Sequence, residues 1–392
     1  MSLRRVILAT GALNGMRAQG WCAAAFSLLF VLSIHPSGLS SETLELTRPE
    51  PATCVTDNGA VFSVENGELK PVRGQFMIFP TGGRELRPRT AVSLDGAPGQ
   101  LLRMYVWSEE RLDSLSVQVG PPGRSPLSRT TGFRMQVENG IELWVALLGI
   151  PAWSAEREYA LTLSAEAGER SYLLLQPFTV TVRKFFSERI PLTADLTNMV
   201  MVPDPQKKEE SRILAEVLST AHADAVFETG ELLVPLPVAR RTSGFGDRRE
   251  YDYSDGTKGY SVHLGVDIAS PTGTPVPASG RGRVVFAETR ILTGNTVVIE
   301  HLPGLFSVYY HMSSLDVKVG DIVEKGQVIG TVGMTGFATG PHLHWEIECA
   351  GVAVDPDALV KLPLLDKKQD FFDIEHAAAP KGGESNSLYR SQ

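Results

Sequence analysis

Gly340-Pro341-His342-Leu343-His344-Trp345-Glu346 is the stretch from which the rest of the chain is best read. On a strand, residues two apart point to one face, so His342 and His344 look into a common space. Upstream lies His263-Leu264-Gly265-Val266-Asp267, whose His263 and Asp267 share a face in either a helix or a strand. Two imidazoles and a carboxylate are the usual donor set of a catalytic zinc that keeps one position open for water. With His311, in Tyr309-Tyr310-His311-Met312, the chain offers four histidines and an aspartate to a single site.

Around these residues runs a longer pattern. It begins at Ser243-Gly244-Phe245-Gly246-Asp247-Arg248-Arg249 and passes through the His263/Asp267 box to Gly273-Thr274-Pro275-Val276. Gly294-Asn295-Thr296-Val297, the Tyr309-to-His311 box, Val319-Gly320-Asp321 and Gly326-Gln327-Val328-Ile329-Gly330 follow. Thr335-Gly336 leads into His342/His344, and Asp355-Pro356 closes it. In order and spacing this resembles the M23 family of zinc metallopeptidases, the lysostaphin/LytM-like peptidoglycan endopeptidases. The resemblance covers roughly residues 235–358.

The resemblance implies one zinc ion per chain, held by His263, Asp267 and His344. It also implies that His342 and His311 are catalytic, orienting or deprotonating the attacking water and stabilising the oxyanion. A strand-borne His-x-His pair cannot easily present both rings to one small ion in the same way, so one ring is left to face substrate. Histidine titrates near neutrality and can take and return a proton. The implied activity is hydrolysis of peptidoglycan stem or cross-link peptides, the substrate being the expected partner. The alternative is a LytM-like module that binds cell wall or activates another hydrolase without cleaving. A regulatory protein partner fits either reading. One departure from the family pattern is the polar segment Glu250 to Lys258, which reads as a loop lining or covering the cleft.

The chain of 392 residues is 43% hydrophobic and 21% charged, an ordinary globular composition of two or three domains. A net charge of −8 argues against nucleic acid, whose binders carry basic patches. Arg4, Arg5 and Arg17 precede the apolar run 21–34, which makes residues 1–40 a secretory signal peptide or an N-terminal anchor. Met16 is an alternative start. The run is short for a membrane span. The protein is therefore expected in the periplasm, the cell envelope or outside the cell, and the anchor reading ties it to the inner membrane. Cys54 and Cys349 could pair in an oxidising compartment, but the favoured reading is two separate thiols.

Residues 41–195 read as a β-rich, immunoglobulin-like domain, with strands at 101–107, 115–119, 141–148, 159–163 and 178–182. This region is expected to position the enzyme, dock it or occlude the cleft. Residues 196–230 form a helical connector: Asp204 caps a helix with Pro205 at its first position, and Ile213, Leu214, Val217 and Leu218 form its apolar stripe. Residues 231–362 are the mostly antiparallel β peptidase domain, and 363–392 read as a disordered tail. Outside the boxes, His222 reads as an incidental surface residue and His301 as surface or hydrogen-bonded. Glu346 reads as a partner of His344 or an exposed carboxylate, and Asn295 as a candidate backbone-binding group.

Overall fold

The computed structural model describes residues 94–365, apart from 109–110, 122–123, 139–140 and 169, together with four short strands before them. Residues 1–52 and 366–392 lie outside the described residues, and with them the apolar run 21–34, Cys22 and His376. No helix among the described residues is long and apolar enough to cross a membrane.

The protein is mainly β. Strands β1 (Thr53–Val55), β2 (Val61–Glu65) and β3 (Glu68–Val72) form one small antiparallel sheet. The next strands are β4 (Ile78–Pro80), β5 (Leu94–Gly96), β6 (Leu101–Ser108), β7 (Ser114–Gly120), β8 (Ser128–Thr131), β9 (Phe133–Glu138), β10 (Ile141–Gly149), β11 (Arg157–Ala167) and β12 (Arg170–Val180). They build two sheets, β4-β6-β10-β9 and β5-β12-β11-β7-β8. Alternation along each strand makes them a sandwich. Leu102, Met104, Val106, Trp144, Ala146 and Leu148 meet Leu115, Val117, Leu161, Leu163 and Phe178 in one buried core.

The opposite face of β6 and β10 is just as apolar. Leu101, Tyr105, Leu143, Val145 and Leu147 share a second core with Val266, Trp345, Ile347 and Val354 of the C-terminal half. A sheet buried on both faces is a layer of the protein, not a tethered module. Polar ties cross the same junction. Asp355 N–H donates to the Gly99 carbonyl at 2.7 Å. Arg183 pairs with Asp355 at 2.5 Å, and the Cys349 thiol donates to the Leu147 carbonyl at 3.2 Å. Cys349 is a free, buried thiol, as expected; the side chain of Cys54 lies outside the described residues.

The connection runs through β13 (Ser187–Pro191), α1 (Ala194–Met201) and α2 (Pro205–Ser219). Asp204 caps α2 as expected, its side chain accepting from Gln206 N–H at 2.8 Å. Of the expected stripe Leu214 and Leu218 are buried, whereas Ile213 is exposed.

The C-terminal sheet comprises β14 (Arg240–Ser243), β17 (Val266–Ala269), β18 (Pro275–Pro277), β19 (Gly282–Arg290), β20 (Gly294–Leu302), β21 (Leu305–Leu315), β22 (Ile322–Val323), β23 (Val328–Val332), β24 (His342–Cys349) and β25 (Val352–Val354). The central order is β14-β17-β24-β21-β20-β19-β22. On β24, Leu343, Trp345, Ile347 and Cys349 face the core shared with the sandwich. Period two then sends His342, His344, Glu346 and Glu348 to the other face. Part of that face is roofed by α2, whose Leu214 and Leu218 cluster with Phe306, Val308 and Tyr310. Helix α3 (Pro356–Leu359) follows β25.

Two expectations need correction. The polar segment 250–258 is a loop only at 253–257. It belongs to the hairpin of β15 (Arg248–Asp252) and β16 (Lys258–Val262), which β13 extends by pairing in parallel with β15. The chain also stays in the core beyond residue 362. Leu364 and Leu365 are buried, and their N–H groups donate to the carbonyls of Gly230 and Thr229. His222 is exposed, as expected, and its Nδ1 lies 2.7 Å from Glu300, a carboxylate buried in β20.

Of its two expected readings, surface or hydrogen-bonded, His301 takes the second. It is fully buried; its Nδ1–H donates to the Arg281 carbonyl at 2.8 Å, and its Nε2 lies 2.7 Å from the Ser307 hydroxyl. Burial pushes its pKa down to about 4. In the unfolded chain the ring takes up a proton as pH falls through about 6.5. Between these two values the unfolded state binds more protons, so acidification favours unfolding. The stabilisation is complete above about pH 6.5 and shrinks by about 1.4 kcal/mol per unit towards pH 4. Urea unfolding at pH 7 and pH 5 is expected to show a loss about 2 kcal/mol smaller in His301→Gln than in the unaltered protein.

Candidate metal and active site

His263 follows β16, Asp267 lies on β17 and His344 on β24, directly opposite Asp267 in the antiparallel register. Gly265 makes the turn between His263 and Asp267. A Cβ there would lie 2.4 Å from the Trp345 carbonyl oxygen and 2.8 Å from His344 Nε2, so only glycine fits this approach. The three donor atoms converge. Asp267 Oδ1 is 3.1 Å from His263 Nε2 and 2.7 Å from His344 Nδ1, and the two nitrogens are 2.9 Å apart.

The outer nitrogens decide what those inner atoms carry. His263 Nδ1–H donates to the Gly244 carbonyl at 2.7 Å, which leaves Nε2 a bare lone pair in the neutral ring. His344 Nε2–H donates to Glu346 at 2.8 Å, leaving Nδ1 bare. With both rings neutral, three lone pairs face one another, an arrangement that a cation resolves; without one, a proton on His344 shared with Asp267 does so. Donors each about 2.0–2.1 Å from a zinc ion stand about 3.3 Å apart in a tetrahedral shell, close to the spacing found. The residues present fit the metal. Glu346 thus takes the first of its two expected roles, that of partner to His344.

Charge in the metal-free cluster shows how strongly the site draws a cation or a proton. Burial opposes ionisation of Asp267, yet hydrogen bonds from His263 and His344 hold its carboxyl far below the usual carboxylate range. Burial also opposes charge on His344, but Glu346 and Asp267 outweigh it and push the pKa up to about 9. His263 is lowered, mainly by burial.

His342 and His311 stand beside the three donors. His342 Nδ1–H donates to the Gly340 carbonyl at 2.8 Å, and its Nε2 lies 3.6 Å from Asp267 Oδ1. His311 Nδ1–H donates to the Thr335 carbonyl at 2.8 Å, and its ring centroid is 4.8 Å from that of His342. Burial, then the neighbouring His342 and His344, push its pKa down to about 3, so it is neutral at physiological pH.

His311 reaches this face by a backbone device. Strict alternation on β21 would put it with Tyr309, which is in the core. The pairing of β20 with β21 shifts register between Asn295/Val297, and His311 sits at φ 61°. This β-bulge turns the ring over to the side of His344. A left-handed, non-glycine residue costs about 1–3 kcal/mol and characteristically marks a functional site.

The Asn295 side chain is engaged within the sheet. Its Nδ2 donates to the Met312 carbonyl at 3.0 Å, and its Oδ1 accepts from Thr289 at 2.5 Å. Sequence reasoning missed Tyr310, whose ring stacks on His344 at 5.3 Å between centroids. It also missed Arg249, which donates to Asp267 Oδ2 at 2.5 Å.

Three protein donors, rather than the four that close a structural site, are the donor set of a catalytic-type metal centre on a β-sheet. Residues 261–356 match the family model described as Peptidase family M23, and this segment of the chain is an M23 domain. Peptidoglycan DD-endopeptidase ShyC of Vibrio cholerae is 39% identical over 129 residues, 33% of this chain and 29% of that one. DD-carboxypeptidase/endopeptidase Mpg of Neisseria meningitidis is 40% identical over 122 residues, 31% of this chain and 27% of the other. The match thus spans less than a third of either curated relative. The solved catalytic domain of the antimicrobial peptidase lysostaphin from Staphylococcus simulans is 34% identical. It covers 32% of this chain and 95% of that one, at a TM-score of 0.28.

Proposed function

We propose that this protein is a zinc-dependent endopeptidase that hydrolyses peptide bonds of peptidoglycan stems or cross-links. The observation that carries the reading is the convergence of three donor groups, His263, Asp267 and His344, beside the imidazoles of His342 and His311, whose Nδ1 atoms are held by backbone carbonyls. Zinc held there would polarise the scissile carbonyl and acidify a water. His342, nearer the rim, accepts that water's proton at Nε2 and returns it to the leaving amine. His311 accepts a hydrogen bond from the water at Nε2 and so orients it. Once protonated, either ring becomes an Nε2–H donor suited to the tetrahedral oxyanion. The names of the curated relatives support peptidoglycan as the substrate class. The N-terminal run 21–34 supports delivery to the periplasm or cell envelope, by a cleaved signal or a retained anchor.

Digestion of purified peptidoglycan by residues 41–392, with products analysed by mass, tests the proposal. New amine and carboxyl termini are expected with zinc, none with a chelator, and recovery when zinc is restored. Stoichiometric zinc without any cleavage would point instead to the non-cleaving, hydrolase-activating alternative.

A further inference from the structure

The family match begins at residue 261, yet the contacts that hold Asp267 begin far upstream. Asp267 offers Oδ1 to the two histidines and gives Oδ2 to Arg249. Arg249 is itself held: its Nε donates to Glu188 Oε1 at 2.6 Å. Glu188 lies on β13, in the segment between the sandwich and the helices, and is the direct cross-strand partner of Arg249 in the parallel β13–β15 pair. The same Glu188 oxygen accepts from Ser243 Oγ at 2.8 Å, and that hydroxyl lies 3.2 Å from His263 Nδ1. One carboxylate therefore braces the partners of two of the three donors.

We propose that Glu188 is a positioning residue of the metal site, acting through Arg249 on Asp267. This rests on the reading of His263, Asp267 and His344 as the zinc ligands. Two physical effects run the same way. The first is geometric. With Oδ2 tied to a guanidinium that is fixed from its far side, Asp267 presents one oxygen to the metal and cannot swing to chelate with both. The second is electrostatic. Asp267 alone with Arg249 is a neutral pair, which attracts a dication poorly. Glu188 shares the guanidinium charge and leaves the trio at −1. Arg249 and Glu188 have side chains only 15% and 31% exposed, so solvent screens this little. A one-residue slip of β13 would turn Glu188 to the opposite face and break the chain of contacts. The segment preceding the matched region is thus part of the site.

The test is zinc affinity, measured by competition with a chromophoric chelator, in the full chain carrying Glu188→Gln. The substitution keeps the shape and removes the charge. The control is Arg189→Gln. Arg189 is the next residue on the same strand and pairs with Asp252 of β15, donating from Nη2 at 2.8 Å, but it does not touch Arg249 or Asp267 in any contact described. The expected result is a 10–100-fold weaker zinc affinity in Glu188→Gln, and an affinity within threefold of the unaltered protein in Arg189→Gln. Unchanged affinity in Glu188→Gln would overturn the proposal. So would an equal fall in both variants, because it would reduce Glu188 to strand docking. An unaltered protein that binds no zinc would overturn the ligand assignment itself, whereas one that binds zinc but cleaves nothing would leave this inference standing and remove only the peptidase reading.

Discussion

His344→Ala is expected to strip the protein of zinc and to bring peptidoglycan cleavage down to background. The residue sits at the centre of the cluster. Its Nδ1 is within 2.9 Å of both other donor atoms, and its Nε2–H is held by Glu346. Removal takes away one of three ligands. It also leaves Glu346, which is buried and packed near the equally buried Glu348, without the cation or proton that balances it. Loss of an outer partner alone typically costs 10–100-fold in metal affinity, so loss of the ligand should exceed about 100-fold. Metal analysis after dialysis at fixed free zinc provides the check. Stoichiometric zinc in the variant would contradict the ligand assignment. Thermal unfolding of the metal-free proteins separates this effect from a general loss of fold. The variant should melt lower even without zinc, because the Tyr310 ring loses the imidazole stacked on it.

The site was legible in the sequence where spacing alone encodes direction. His342 and His344 lie two apart on a strand, and the structure puts both on one face, with Leu343 and Trp345 in the core behind them. The cap of α2 was legible for a similar reason, since Asp204 and Pro205 act within a single turn. What escaped depends on partners remote in the chain. Spacing does not show that His301 is buried against Ser307, or that the exposed His222 meets Glu300, until β20 and β21 are in place. Residues 250–258 of the hairpin read as a loop because their polar residues do not alternate with apolar ones. Its pairing is settled by β13, which contributes only Ser-Glu-Arg-Ile-Pro and carries no pattern of its own. Glu188 could not have been picked out by composition or spacing, because its role exists only through a parallel register with β15. Nor does the sandwich announce that both faces of β6 and β10 are buried. The near-continuous apolar run Leu143 to Leu148 is the trace of it, and it reads equally well as a single buried strand.

His311 tests the division of labour among the histidines most sharply. Its role was implied by the resemblance, while strand alternation argues against it, and the bulge at φ 61° reconciles the two. His311→Ala is expected to lower cleavage by about 10²–10⁴-fold, the range of a lost proton-transferring or water-orienting group. Zinc content should stay near one per chain, because no donor atom of the cluster belongs to this residue. Alanine tolerates the left-handed backbone poorly, so a lost fold could mimic lost chemistry. His311→Asn removes that ambiguity, since asparagine adopts positive φ readily and carries no group that titrates near neutrality. Both variants should bind zinc as the unaltered protein does and both should fail to cleave. If His311→Asn lost zinc as fully as His344→Ala, His311 would have to be counted a ligand. If it cleaved at the unaltered rate, the strained bulge would have no catalytic purpose, and His342 alone would carry the proton.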